Sequence, residues 1–388
     1  QDADGAWGGI QPPWIYGMMA LDVEGYALDH PVMAKAMAAL NDPSWRIDRG
    51  EASWIQATNS PVWDTVLALV ALDDTGARGV YPEAIEKAVQ WLLDRQVKVP
   101  GDWSVKLPRL APGGWAFEYA NNHYPDTDDT AMALIALAPF SDNPKWRERG
   151  IDEAIRRGTD WLIGMQSNEG GWGAFDKDNN RRILTKIPFC DFGEALDPPS
   201  VDVTAHVVEA FGKLGLSRSH PAMVQALDYI RREQERDGPW FGRWGVNYLY
   251  GTGTVLPALA AIGEDMTQPY IARACDWLIN RQQPDGGWGE SCASYLDAAM
   301  AGQGATTASQ TAWALMALLA ANRPQDQDAI QRGCLFLVER QSAAGGWEEA
   351  EFTGTGFPGY GVGHSIRLDD SRFRERQSQG PELSRAFM

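Results

Sequence analysis

Residues 124–130 read Tyr124-Pro125-Asp126-Thr127-Asp128-Asp129-Thr130 and bring three carboxylates within four positions. Acids this close repel one another when ionised, and burial adds to that cost, so one of them is expected to keep its proton near neutral pH. A proton retained in a dry cavity is a Brønsted acid awaiting a weakly basic substrate. Helix capping accounts for part of the pattern, with Asp126 before the first turn and the other acids at the positive end of the helix dipole. When the internal repeats described below are aligned on threonine, Asp128 falls opposite Asp202 and Ser309, and Asp129 opposite Asp64 and Gln310. One polar residue is therefore ordinary at such a place; three acids are not.

His206 lies two residues beyond the threonine of its own repeat, beside Val203, Val207 and Phe211. By residue type alone it reads as a core histidine paired with Asp202, four residues back on the same helix. The remaining histidines (His30, His123, His220, His364) and the cysteines (Cys190, Cys275, Cys292, Cys334) form no H-x-x-x-H and no C-x-x-C. No metal site is expected from them, and the thiols read as reduced and cytoplasmic rather than as a disulfide framework.

The elements that must hold these groups announce themselves as a repeat. A phrase of Gln, a few residues, Gly, one residue and Trp occurs as Gln1-Gly5-Trp7, Gln96-Gly101-Trp103, Gln166-Gly170-Trp172, Gln234-Gly238-Trp240, Gln282-Gly286-Trp288 and Gln341-Gly345-Trp347. All but the first follow an amphipathic stretch with an aromatic at a matching place: Trp91, Trp161, Tyr229, Trp277 and Phe336. A second series alternates with it, reading Trp63-Asp64-Thr65, Asp128-Asp129-Thr130, Asp202-Val203-Thr204, Gly253-Thr254 and Ser309-Gln310-Thr311, each before a segment apolar on nearly all sides. The apolar segments predict buried inner helices, and those ending in Gln predict outer ones. β-branched alternation is nearly absent. Inner and outer helices joined by Gly-rich turns describe an all-α fold, an α/α toroid of helical hairpins. Within the repeat, the Gln is expected to bond orphan backbone groups of a neighbouring helix end, with the Trp packed over it.

The chain has 388 residues, a formal charge of -18 and an apolar fraction of 44%. That composition gives a globular protein with ample core and excludes general disorder. The acidic balance argues against a nucleic-acid partner and against docking on anionic lipid by charge. No apolar run approaches the ~18 residues of a spanning helix. Five inner and five outer elements follow residue 59, where a closed barrel of six hairpins needs more. The count predicts a fragment, with residues 1–58 a remnant of a second α/α barrel and residues 59–388 a catalytic barrel incomplete at its C-terminal end. Such a chain, expressed alone, is expected to be helical, self-associating and inactive.

YPDTDDTA, the Gln-Gly-Trp repeats, IPFCDFGE, DPPSVDVTAH, WFGRWGVNYLYGTG and FTGTGFPG together resemble the squalene-hopene cyclases, over the whole chain. The resemblance implies two α/α barrels, association with the cytoplasmic side of the cell membrane by monotopic apolar contact, and acid-started cyclisation of squalene without a metal or other cofactor. It also allows a homodimer. Asp126-Thr-Asp128-Asp129 stands where the oxidosqualene cyclases carry Asp-Cys-Thr-Ala-Glu, which points to the squalene branch. By the same resemblance Asp128 is the proton donor, Asp126 and Asp129 hold and tune it, and His206 bonds to it and raises its strength. Tyr250 matches a tyrosine of the surrounding hydrogen-bond network. Trp63, Phe117, Phe175, Trp244, Phe357 and Phe387 match cavity positions, Phe175 standing where some members have Tyr. Phe189 and Cys190 match a channel constriction. From the residues alone, a glycosidase with paired carboxylates or an inactive helical scaffold stays open.

Overall fold

A computed structural model describes residues 1–388 apart from 51, 119–120, 122, 182, 184–195, 358–359 and 364–388, and for 49, 355–357 and 360–363 it describes the backbone alone. The first part of the chain forms α1 (Gln11–Val23), α2 (Pro31–Ala39) and an antiparallel hairpin of β1 (Arg46–Arg49) with β2 (Ala52–Ile55). Both helices carry Pro in the first turn, where a missing N–H is no loss. Ala6, Trp14, Ala36, Ala39 and Trp45 make a small core of their own.

From residue 61 inner and outer helices alternate as expected. The inner set is α3 (Pro61–Asp74), α5 (Thr127–Leu137), α8 (Val201–Lys213), α10 (Tyr248–Ala261) and α12 (Ala308–Ala321). The outer set is α4 (Pro82–Arg95), α7 (Ile151–Met165), α9 (Pro221–Arg232), α11 (Pro269–Arg281) and α13 (Gln327–Arg340), with a short α6 (Pro144–Glu148) before α7. The inner helices pack on one another in chain order, α3 on α5, α5 on α8, α8 on α10 and α10 on α12. This is the α/α toroid architecture. The burial follows the sequence pattern: α7 buries one stripe (Ile151, Ala154, Gly158, Trp161, Leu162, Met165), whereas α5 buries every residue except Asp128. A second hairpin, β3 (Phe352–Phe357) with β4 (Tyr360–Gly363), ends the described chain and bridges to the loop before α10 through Gly354 and Gly245.

The repeat works as a set of stitches. Gln166 Nε2 donates to Gly170 O in its own turn at 2.7 Å and to Ala222 O in the first turn of α9 at 2.8 Å. Gln96, Gln234 and Gln282 reach Ala154, Tyr270 and Ala329 of the following outer helices in the same way, and Gln1 reaches Val32 of α2. These acceptors are first-turn carbonyls that already serve their own helices, so each takes a second hydrogen, which corrects the orphan groups predicted from sequence. The Trp does more than cover the bond. Its indole N–H donates to the carbonyl four residues before the Gln: Trp172 to Leu162, Trp240 to Ile230, Trp288 to Leu278 and Trp347 to Leu337, each at 2.7 Å. Its backbone N–H is received by the threonine hydroxyl of the next inner helix, as in Trp172 with Thr204 and Trp288 with Thr311, both at 3.0 Å.

Two assignments of the sequence change on this basis. Gln96 closes on Gly113 O, and the indole that reaches Leu92 O is that of Trp115, so the working pair is Gly113-Trp115 and not Gly101-Trp103. In α10 the threonine that receives Trp240 N–H is Thr252, not Thr254.

Candidate active site

The site is built at the N-terminal end of α5. Asp126 has extended backbone and accepts the Asp129 N–H at 2.7 Å, so it is the N-cap that the sequence predicts. Thr130 ties this turn to the repeat, donating to Asp126 O at 2.5 Å and accepting Trp115 N–H at 2.9 Å.

The three acids are not equivalent. Asp126 and Asp129 are buried at 2% and 3% exposure, while the Asp128 side chain is 13% exposed and alone among them opens outward from the core. Burial pushes the Asp126 carboxyl up to about 8, and Asp128's charge adds to this. Burial, with the charges of Asp126 and Asp128, likewise raises Asp129. The two carboxyls influence each other directly. Asp126 Oδ2 and Asp129 Oδ1 receive no donor among the described residues. A proton on Asp129, shared with Asp126, satisfies both.

Asp128 has a separate partner. His206 Nδ1, from α8, lies 2.6 Å from Asp128 Oδ1. Burial works against charging the imidazole, yet the charge of Asp128 and the bond to it carry the His206 pKa above its ordinary value. This corrects the pairing with Asp202 expected from helix spacing. Asp202 Oδ2 instead accepts the backbone N–H groups of Arg243 and Trp244 at 2.9 and 2.8 Å, which leaves His206 free to cross to α5.

Rings enclose this pair. Trp63 of α3 and Tyr250 of α10 flank the imidazole, with centroids at 6.2 and 6.4 Å. Burial raises the Tyr250 pKa far above the ordinary tyrosine value, so its hydroxyl keeps its hydrogen. Phe175 meets Trp244 edge-on at 6.1 Å. Phe117, two residues after Trp115, is half-buried. Phe357 ends β3, its side chain outside the described residues, as are Phe189, Cys190 and Phe387 entirely.

Sequence reasoning missed the residues that hold these rings. Asp197, the first residue of the DPPSVD phrase, accepts the N–H groups of Ala174, Phe175 and Asp176 at 3.2, 2.6 and 2.7 Å. Tyr295 donates to Gly245 O at 2.8 Å and so braces the loop that carries Trp244. Tyr124 stacks on Phe175 at 5.2 Å, and Trp313 of α12 meets Tyr250 at 4.7 Å. An aspartate before Pro-Pro and an aromatic before Pro-Asp were the available signals. Away from this site, Asp2, Asp4 and Glu118 bring carboxylate oxygens within 4.8 Å of one another, the sort of group that could hold a cation. Asp4 is already engaged by Ala6 N–H and Trp45 Nε1–H, and Asp2 by Gly8 N–H.

Comparison with known proteins follows the same lines. The squalene-hopene cyclase C-terminal domain model matches residues 59–363, and the N-terminal domain model matches residues 1–49. A squalene-hopene cyclase of Alicyclobacillus acidocaldarius is 54% identical over 92% of this chain and 56% of its own length. One from Schizosaccharomyces japonicus is 45% identical over 90% of this chain and 53% of its own length. The chain thus spans about half the length of these relatives. Among solved structures, the type II terpene cyclase MstE from Scytonema shares the fold with a TM-score of 0.56 at 21% identity, over 89% of this chain and 84% of that one. With the family's domain model covering 59–363 and a curated member more than half identical over nearly the whole chain, the chain belongs to the squalene-hopene cyclase family.

Proposed function

We propose that this chain carries the acid site of an enzyme that cyclises squalene to hopene and hopanol, an isomerase of the intramolecular lyase type. The observation that carries it is the 2.6 Å bond from His206 to Asp128, the one residue of α5 that is not buried. An imidazolium there donates to Asp128 Oδ1 and leaves the proton on Oδ2 facing the substrate. The alkene π pair takes that proton, a C–H bond forms, the Asp128 O–H bond breaks, and the new carboxylate is stabilised by His206. Asp126 and Asp129, sharing a proton, hold the turn without adding a second negative charge to Asp128's surroundings. Trp63, Phe117, Phe175, Trp244 and Tyr250 supply faces for the migrating cation, each worth on the order of 2 kcal/mol when desolvated, and a dry cavity delays capture by water. The last cation loses a proton to give hopene, or takes up water, whose oxygen pair forms the C–O bond and which then releases a proton, to give hopanol. The family resemblance alone assigns Phe189 and Cys190 to the channel constriction, Phe357 to the cavity and Phe387 to the neighbourhood of the last cation in this scheme.

Residues 1–58 belong to a second barrel and residues 59–388 to the catalytic one, a division supported by the separate core around Trp14 and Trp45. The enzyme meets the cytoplasmic face of the membrane by apolar contact from one side. Among the described residues no helix is long and apolar enough to cross a membrane, and an apolar substrate is delivered most simply from lipid. A homodimer fits the same scheme. The test is incubation of the whole gene product with squalene and EDTA, followed by lipid analysis. Pentacyclic product that survives chelation is expected; no product, or product lost on chelation, contradicts the mechanism.

A further inference from the structure

The acid turn and the turn that carries Phe175 are joined by the two residues flanking Pro125 and Asp126. Thr127 donates its backbone N–H to Ala174 O at 2.7 Å and its hydroxyl to Gly173 O at 2.6 Å. Tyr124 lays its ring on that of Phe175, with centroids 5.2 Å and planes 5° apart. Asp197 holds the Phe175 backbone N–H, but that bond fixes the main chain and leaves the side-chain torsions to be set by packing. Trp244 touches Phe175 edge-on, with planes 81° apart. An edge contact alone tolerates rotation of the phenyl ring; a parallel ring across its face does not.

We infer that Tyr124 is a positioning residue that sets the angle of the Phe175 ring and thereby how completely the substrate is cyclised. This rests on the cyclase function proposed above. A cation is attracted to the face of a ring and not to its edge, so a phenyl ring turned out of place ceases to hold a partly cyclised cation. Such a cation loses a neighbouring proton to water, the C–H pair becomes an alkene, and an incompletely cyclised product leaves. Protonation at Asp128 precedes that branch and is unaffected by it. The ring of Tyr124, and not its hydroxyl, makes the contact, so phenylalanine replaces it.

The test uses the whole gene product with squalene. Tyr124→Leu is expected to consume squalene within about threefold of the parent, while the ratio of incompletely cyclised to pentacyclic product rises about fivefold, the equivalent of one ordinary aromatic pair. Tyr124→Phe is expected to restore the parent ratio. An unchanged ratio in a folded Tyr124→Leu overturns the inference. Should that variant not fold, Tyr124→His, with a smaller flat ring, is read the same way, with a smaller rise expected and an unchanged ratio overturning it. A crystal structure of either variant gives a readout independent of substrate. The Phe175 ring is expected to leave its edge-on contact with Trp244, and a ring that stays in place overturns the inference even if squalene proves not to be the substrate.

Discussion

Asp128 of α5 and Tyr250 of α10 occupy the same place in the repeat, each two residues before the threonine hydroxyl that receives a repeat Trp N–H, Thr130 for Trp115 and Thr252 for Trp240. Trp63, Asp202 and Ser309 stand two residues before Thr65, Thr204 and Thr311 in the same way. One repeat position therefore delivers an indole, two carboxylates, a phenol and a hydroxyl. Divergence at that position, on a frame that stays the same, makes the site.

The shared position gives a direct comparison of two acids. Asp128→Asn is expected to abolish squalene turnover while melting and helical content stay near the parent, because Asp126 and not Asp128 caps α5. Asp202→Asn keeps an oxygen for the Arg243 and Trp244 N–H groups and is expected to retain measurable turnover. Equal loss from both would show that the donor has been misassigned.

His206 sets the pH limb. Its pKa lies above the ordinary 6.5, so the imidazolium is fully present below about that pH and is lost as pH rises through the higher, folded value. Turnover is expected to fall on that alkaline side. His206→Gln is expected to lower turnover on the order of 100-fold and to remove that limb. A parent profile that climbs steadily with pH would contradict the role.

Stability is expected to run in the same direction. Asp126 rises from 3.8 to about 8 and Asp129 is raised with it. The folded state then binds protons that the unfolded chain has released, so these groups favour folding most below about pH 3.8 and progressively less up to about pH 8. His206, also raised, loses its contribution above 6.5. Melting scans between pH 5 and 9 should show Tm falling. Asp129→Asn should flatten that slope and stabilise the fold at the alkaline end by about 1 kcal/mol. A slope unchanged by the substitution would count against the shared proton.

Much of this was legible because the repeat has a strict chemical grammar. Inner and outer helices, the cap at Asp126 and the crowding of three acids all follow from local residue types. What was not legible lay in competition between near-equivalents. The inserted residues between Gln96 and Trp115 contain Gly101 and Trp103, which mimic the true pair, and Gly251-Thr252-Gly253-Thr254 offers two threonines two apart. His206 has an acid one helical turn away and another 78 residues distant. The near one is occupied by backbone N–H groups, a fact of packing that no spacing rule contains.

The stitches can be tested singly. Trp172→Phe removes the indole donor to Leu162 O, a buried carbonyl whose place is still filled by a ring. The expected loss is about 1–3 kcal/mol of stability, with turnover at low temperature unchanged. A variant that melts like the parent but fails to turn over would instead assign Trp172 a part in the chemistry.

Membrane attachment has its own signature. With a formal charge of -18, binding that depends on apolar burial survives high salt and yields to detergent. Fractionation of cell membranes under both treatments measures it, and release by salt alone would contradict the proposal.

Asp197 and Asp202 grip main-chain N–H groups, not side chains, on the two turns that present Phe175 and Trp244. Scaffold and upholstery are thereby separable. On the function proposed above, exchanging the rings at 175 and 244 is expected to re-line the chamber without loosening its walls, so that product outcome changes before the fold does. Removing either carboxylate oxygen altogether, as alanine would, frees a main-chain turn, so its cost is expected to fall on all products together and not on the ratio among them.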